Sequence, residues 1–277
     1  MKNKGLVIFL IVLLAICVVF LSGLLFFSIS GKKIKGPFGF FNTYKISTTK
    51  IYDKVYENDF KDIDIDTSAA NIEIKTGSEN KLVIYGEENL LSIDDANEIL
   101  SLRYDSEACH FFCFNIKSAK IVLYLNEEYN GKININNDYG DIDIEKFEHS
   151  KIQVDSSFGD TLVKGALDVV LSSSCGDIDI GEVENAEVHN NYGDININKI
   201  TNKADIEDDC GDIEINEVDL KENSTIENNF GNIKIKKTND IMIESKVSLG
   251  DNKVNKNNYK SDIVLNLKND CGDIEVN

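Results

Sequence analysis

One tripeptide recurs through the second half of this sequence and narrows the folds open to it: an apolar residue, glycine, then aspartate or asparagine. It occurs as Tyr139-Gly140-Asp141, Phe158-Gly159-Asp160, Cys175-Gly176-Asp177 and Tyr192-Gly193-Asp194. It continues as Cys210-Gly211-Asp212, Phe230-Gly231-Asn232, Leu249-Gly250-Asp251 and Cys271-Gly272-Asp273. Successive glycines stand 17 to 22 residues apart, and Ile-x-Ile follows most copies.

The residues after each Gly-Asp read as a strand. Ile142 and Ile144 are two apart and point to one face, while Asp141 and Asp143 point to the other. The alternation returns at Ile178/Ile180, Ile195/Ile197, Ile213/Ile215, Ile233/Ile235 and Ile274/Val276. A second short strand fills each unit, as at Lys151 to Asp155 or Ala186 to Val188. The glycine suits a bend with positive φ, and the following Asp or Asn can bond nearby backbone amides. The period of two and the short spacers exclude helices.

A unit this short cannot bury its own apolar face, but stacked coils can, each adding about 4.8 Å. The expected fold is all-β: a single-chain, β-helix-like solenoid of 17–22-residue coils, regular over 131–277. Eight coils give a rod roughly 38 Å long.

The position before each glycine is shared by Tyr, Phe, Cys and Leu. It therefore reads as an apolar packing column in which Cys175, Cys210 and Cys271 act as small hydrophobes. Cys175 and Cys210 would stand two coils apart, about 9.6 Å, too far for a disulfide. Thr161 and Asn252 replace the first Ile of their units, so those coils are expected to be irregular. Residues 56–130 lack Gly-Asp but keep strand patterns at 62–66, 71–74, 81–85 and 120–125, and read as degenerate coils and an N-terminal cap. Residues 94–100 fit a short helix or an excursion. The last repeat stops at Asn277, which would leave that end short of capping.

Residues 5–29 run without a charge, which suffices for a membrane-spanning helix and exceeds the apolar stretch of a signal peptide. A retained anchor within 1–30 is expected, with Ser28 to Ser30 the only cleavage-like stretch. Cys17 faintly resembles a lipoprotein cysteine, but Ile16 precedes it and apolar residues follow. Lysines flank both ends, so orientation rests on the two lysines of the short N-tail and on the acidic body, which favour a single-pass protein of the cell membrane with its C-terminal body outside. Residues 31–55, with Gly31, Gly36, Pro37 and Gly39, read as a juxtamembrane linker.

Charge narrows the partners. Five lysines give residues 1–35 a charge of +5, leaving −24 on the rest of a chain whose net charge is −19. Such a body repels phosphate backbones and excludes nucleic acid. Cys109 and Cys113 enclose His110 in a lone CxxxC, which reads as buried thiols before it reads as a metal or redox site.

The Gly-Asp-Ile motif at Gly140, Gly176, Gly193, Gly211 and Gly272, with one N-terminal apolar helix, resembles a bacterial cell-envelope family of β-solenoid proteins of unknown function labelled as adhesins. The match covers roughly 60–277. The resemblance implies the solenoid, and an envelope setting in a Gram-positive bacterium, beside envelope stress-response systems in some members. It implies no activity, because a fold does not fix one.

No constellation for catalysis stands out. His110, His149 and His189 are isolated, and a polysaccharide-cleaving solenoid needs a basic residue beside clustered carboxylates, whereas Arg103 is the only arginine. Asp141, Asp177, Asp194, Asp212 and Asp273 would stack as an acidic ladder that Ca²⁺ could bridge. The plainer reading is a set of turn-capping aspartates on a solvated face, since the calcium β-roll has a nine-residue period. No cofactor is expected. The sequence points to a non-enzymatic binding or scaffold protein of the envelope, with a wall, glycan or envelope protein partner. An accessory of an envelope-stress system and a polysaccharide-active enzyme are the alternatives.

Overall fold

The computed structural model describes residues 45–106 and 117–277. The expected membrane helix, the CxxxC pair and His110 lie outside these residues. Among the described residues no helix is long and apolar enough to cross a membrane.

The first strands are β1 (Lys45–Ile46), β2 (Lys50–Tyr56), β3 (Asp62–Thr67), β4 (Ala70–Thr76) and β5 (Asn80–Tyr85). A 3-10 turn at Glu88–Leu90 leads into β6 (Leu91–Asp94), β7 (Ile99–Tyr104) and β8 (Lys117–Leu125). The repeats supply β9 (Lys132–Tyr139), β10 (Ile142–Ile144), β11 (Phe147–Phe158), β12 (Thr161–Cys175) and β13 (Ile178–Asn190). They continue with β14 (Ile195–Cys210), β15 (Ile213–Val218), β16 (Ser224–Phe230) and β17 (Ile233–Ile235). The last are β18 (Met242–Leu249), β19 (Asn252–Val254), β20 (Val264–Cys271) and β21 (Ile274–Val276).

Neighbouring coils pair in parallel and in register. Ile178 stands against Ile195, Ile195 against Ile213, and Ile213 against Ile233. Each full coil offers three faces, and the coil that starts at Ile178 shows how sequence makes them. Ile178 and Ile180 point inward from the first face, Val183 from the second, and Ala186, Val188 and Asn190 from the third, all buried. Similar coil lengths, with register shifts such as that between Val183 and Asn185, bring like residues over like, so these positions become columns within one continuous apolar core. Burying an isoleucine there contributes about 1.5–3 kcal/mol as a transfer free energy.

The N-terminal end is built differently. Strands β3 and β4 form a coil that stacks in parallel on β9 and β10. Beyond it β7 and β8 continue the two faces in parallel. The outermost pairings, β6 on β7, β5 on β8 and β2 on β5, are antiparallel. Residues 94–100 are thus neither helix nor excursion but the end of β6, the hairpin turn 95–98 and the start of β7, with Asn97 and Glu98 both at positive φ.

At the other end spatial order departs from chain order. Strand β20 lies between β16 and β18, and β21 between β17 and β19. The chain builds the outermost coil, 242–254, and then returns to fill the slot beneath it. The final repeat is therefore covered, contrary to the expectation of an uncapped end. Asn252 lies in that outer coil, where its amide bonds Ser245 and water reaches a position that is buried isoleucine elsewhere. Thr161 did not disturb its coil either. It is buried and in register with Ile142 and Ile178.

Candidate binding face

The Gly-Asp tripeptides stack into one corner of the solenoid. Gly176 has φ +146°, and a Cβ there would lie 2.0 Å from the Gly159 carbonyl oxygen. The same closeness links 159 to 140, 193 to 176, 211 to 193, 231 to 211, 272 to 231 and 250 to 272, in the spatial order of the coils. Only a residue without Cβ lets backbones approach this closely.

The residue after each glycine ties the corner together. Oδ1 of Asp141, Asp160, Asp177 and Asp194 accepts the backbone N–H of Asp160, Asp177, Asp194 and Asp212 respectively, at 2.9–3.1 Å. The chain of bonds runs on through Asn232, Asp273 and Asp251. Asp141, Asp177, Asp194, Asp212 and Asp273 are all exposed. Their stacking is real, and one oxygen of each is engaged with a neighbouring amide. Among the described residues no three His, Cys, Asp or Glu side chains are grouped to hold a metal ion.

Three residues before seven of the eight glycines runs a polar column that sequence reasoning missed. Asn137, Ser156, Ser173, Asn190, Asp208, Asn228 and Asn269 are all buried. The asparagine amides donate to the glycine carbonyls: Asn190 to Gly193 at 2.9 Å, Asn228 to Gly211 at 2.8 Å and Asn269 to Gly231 at 2.8 Å. Buried polar groups require such partners. The signal was present as a recurrent Asn, Ser or Asp at a fixed distance from all the repeat glycines but Gly250.

The residue just before each glycine turns outward, which reverses the expectation of an interior packing column. Tyr192 and Phe230 are 61% and 62% exposed, Leu249 is more so, and Cys210 and Cys271 are exposed. Parity from the buried Asn190 predicts an inward Tyr192, but the chain bends between them. The contacting glycine backbones and the asparagine amides occupy the inside of the bend. In space the line runs Tyr139, Phe158, Cys175, Tyr192, Cys210, Phe230, Cys271, Leu249. Tyr139 and Phe158 stack with ring centroids 5.1 Å apart. No cysteine of this line neighbours another, so none is placed for a disulfide within it.

A second feature lies on the first face, where Gly181 leaves a shallow recess of about 400 Å³ beside Lys164, Asp179, Asn196 and Glu214. It combines carboxylates with a lysine, the set a polysaccharide-cleaving enzyme needs. Glu214, however, is ion-paired with Lys236, which holds it below the usual glutamate range, the wrong direction for a general acid. His149 and His189 are exposed, and His189 Nδ1 lies 3.3 Å from a Glu207 carboxylate oxygen.

A family model described as Toastrack DUF4097 matches residues 60–277. No curated protein matches the chain. Among solved structures, a "putative lipid binding protein" from Parabacteroides distasonis is 14% identical, with 83% of this chain and 99% of that one covered and a TM-score of 0.51. A "putative adhesin" from Bacteroides fragilis is 19% identical, with 83% and 98% covered and a TM-score of 0.49. At these identities a likeness speaks for the fold alone.

Proposed function

We propose, on the premise that this chain belongs to the Toastrack DUF4097 family, that it is a non-enzymatic binding protein of the bacterial cell envelope. Residues 5–29 would hold it in the membrane as a single-pass anchor, and the solenoid would present its corner outside. The observation that carries this reading is the line of exposed Tyr, Phe, Leu and Cys side chains on an edge made rigid by the glycine and aspartate columns. Aligned large apolar groups left in water on a well-built edge are a contact surface in waiting. The acidic ladder beside them repels anionic headgroups and favours polyhydroxyl or cationic groups in a partner. The adhesin name of the B. fragilis protein fits such a role.

The test displays the full-length chain on cells and measures retention of purified wall polysaccharide and of solubilised envelope proteins. Tyr192→Ser with Phe230→Ser should weaken retention at least tenfold while leaving the melting temperature unchanged. Equal retention by a variant of unchanged stability would remove the corner as the contact surface. Retention of membrane signalling proteins alone would favour a regulatory accessory over adhesion.

A further inference from the structure

Asp208 departs from its column. From Asn137 to Asn269 the other members of that column are Asn or Ser, each a neutral group able to donate a hydrogen bond, and the outermost coil places Val247 there. Asp208 is fully buried, and neither carboxylate oxygen has a hydrogen-bond partner among the described residues. On one side in register stands Asn190 and on the other Asn228, both uncharged. The charges acting on it are Asp194 across the corner and Asp209 next in the strand, both negative. An ionised carboxylate in this place would have no cation to pair with and would lie beside two like charges.

The asparagines show what the position does. Asn228 and Asn269 each donate to the glycine carbonyl one coil back, Gly211 and Gly231. The register equivalent for Asp208 is the Gly193 carbonyl. A carboxylic acid can make that bond through its O–H, and a carboxylate cannot.

We propose that Asp208 is carried as the neutral acid, donating to the corner as its asparagine neighbours do, and that its ionisation loosens the corner at this coil, making a pH-sensitive joint in the solenoid. When it ionises, the O–H bond breaks, the proton passes to water, and the Gly193 carbonyl keeps the Asn190 donor but faces a negative charge where the acid O–H stood. Burial, the larger cause, and the two aspartates push this carboxyl up to about 7. The Cys210 and Asp209 amides oppose them, but neither reaches hydrogen-bond geometry. A raised folded-state value means that the stabilisation is complete below the ordinary aspartate value, erodes as pH rises, and is gone above about 7. The joint lies beneath Cys210 and between the coils bearing Tyr192 and Phe230, but the inference does not depend on what that edge binds.

The experiment compares the full chain with Asp208→Asn and Asp208→Ser, residues that the same column already accommodates. Melting temperatures from pH 4 to 9 should show a gap in favour of Asp208→Asn that widens by several degrees up to about pH 7 and then stays level. An infrared band of a protonated carboxyl should persist at pH 6 in the parent and vanish in both variants. A gap that is constant across this range, or a parent lacking the acid band at pH 6, would overturn the proposal. Should either variant fail to fold, the band in the parent and the other variant still decides.

Discussion

Oδ1 of Asp177 accepts the backbone N–H of Asp194, one coil away, at 2.9 Å. The relation repeats along the corner, so each aspartate is both a cap for the next coil and a dependant of the one before. Backbone donors that a tight bend would orphan are satisfied by a side chain of fixed length.

Asp194 tests this directly. Asn232 makes the same bond to the Asp273 amide at 2.9 Å, so Asp194→Asn should stay within ~0.5 kcal/mol of the parent. Asp194→Ala leaves the Asp212 amide without its acceptor and should lose about 1 kcal/mol in urea denaturation. Equal losses would mean that charge, not capping, is what the position supplies.

Gly176→Ala should be among the most damaging single changes. Its Cβ would sit 2.0 Å from a backbone oxygen, at a φ that L-residues avoid. A loss of at least ~3 kcal/mol is expected. Gly77→Ala meets the Tyr124 side chain at 3.1 Å and should cost clearly less. Circular dichroism melts of the two variants decide it.

Ile213 and Phe230 lie in the same coil with opposite surroundings, the first 1% and the second 62% exposed. Ile213→Ala should cost about 2–5 kcal/mol through the cavity it leaves. Phe230→Ala should stay within ~0.5 kcal/mol, as surface changes do. A large loss at Phe230 would restore the interior column that the sequence suggested.

The repeat made the solenoid legible because Ile-x-Ile states both the period and the buried face, and because coils of nearly equal length leave one way to stack. The orientation of Tyr192 was not legible. It depends on how the chain bends between Asn190 and Gly193, and a period-two rule holds only while a strand stays straight. Asn190 itself was overlooked because polar residues are assigned outward by habit. Its burial makes sense only once the glycine carbonyls are seen to need donors. The antiparallel end was hidden for another reason: residues 81–85 read as a strand just as those of true coils do, and pairing direction leaves no mark in a strand pattern.

Glu73 carries the clearest acid-dependent contribution. Burial pushes its carboxyl up, but Lys120 and Lys75, each 2.6 Å away, outweigh that and hold it below the ordinary glutamate value of 4.5. A depressed folded-state value gives stability that is present above the ordinary value and lost as pH falls through the folded one. Glu73→Gln should therefore cost up to about 1 kcal/mol at pH 7 and progressively less below pH ~4. Chemical denaturation at both ends of that range would show it, and a pH-independent cost would refute it.

The return of β20 and β21 beneath β18 and β19 has a mechanical consequence. A stack laid down in chain order peels from its tip, one ladder at a time. Here the strand that comes last is gripped on both edges, so traction on it must rupture two backbone ladders together, and the outer coil behaves as a clasp over a wedge. Under traction, a strand pair held in this way resists unravelling better than one paired on a single edge.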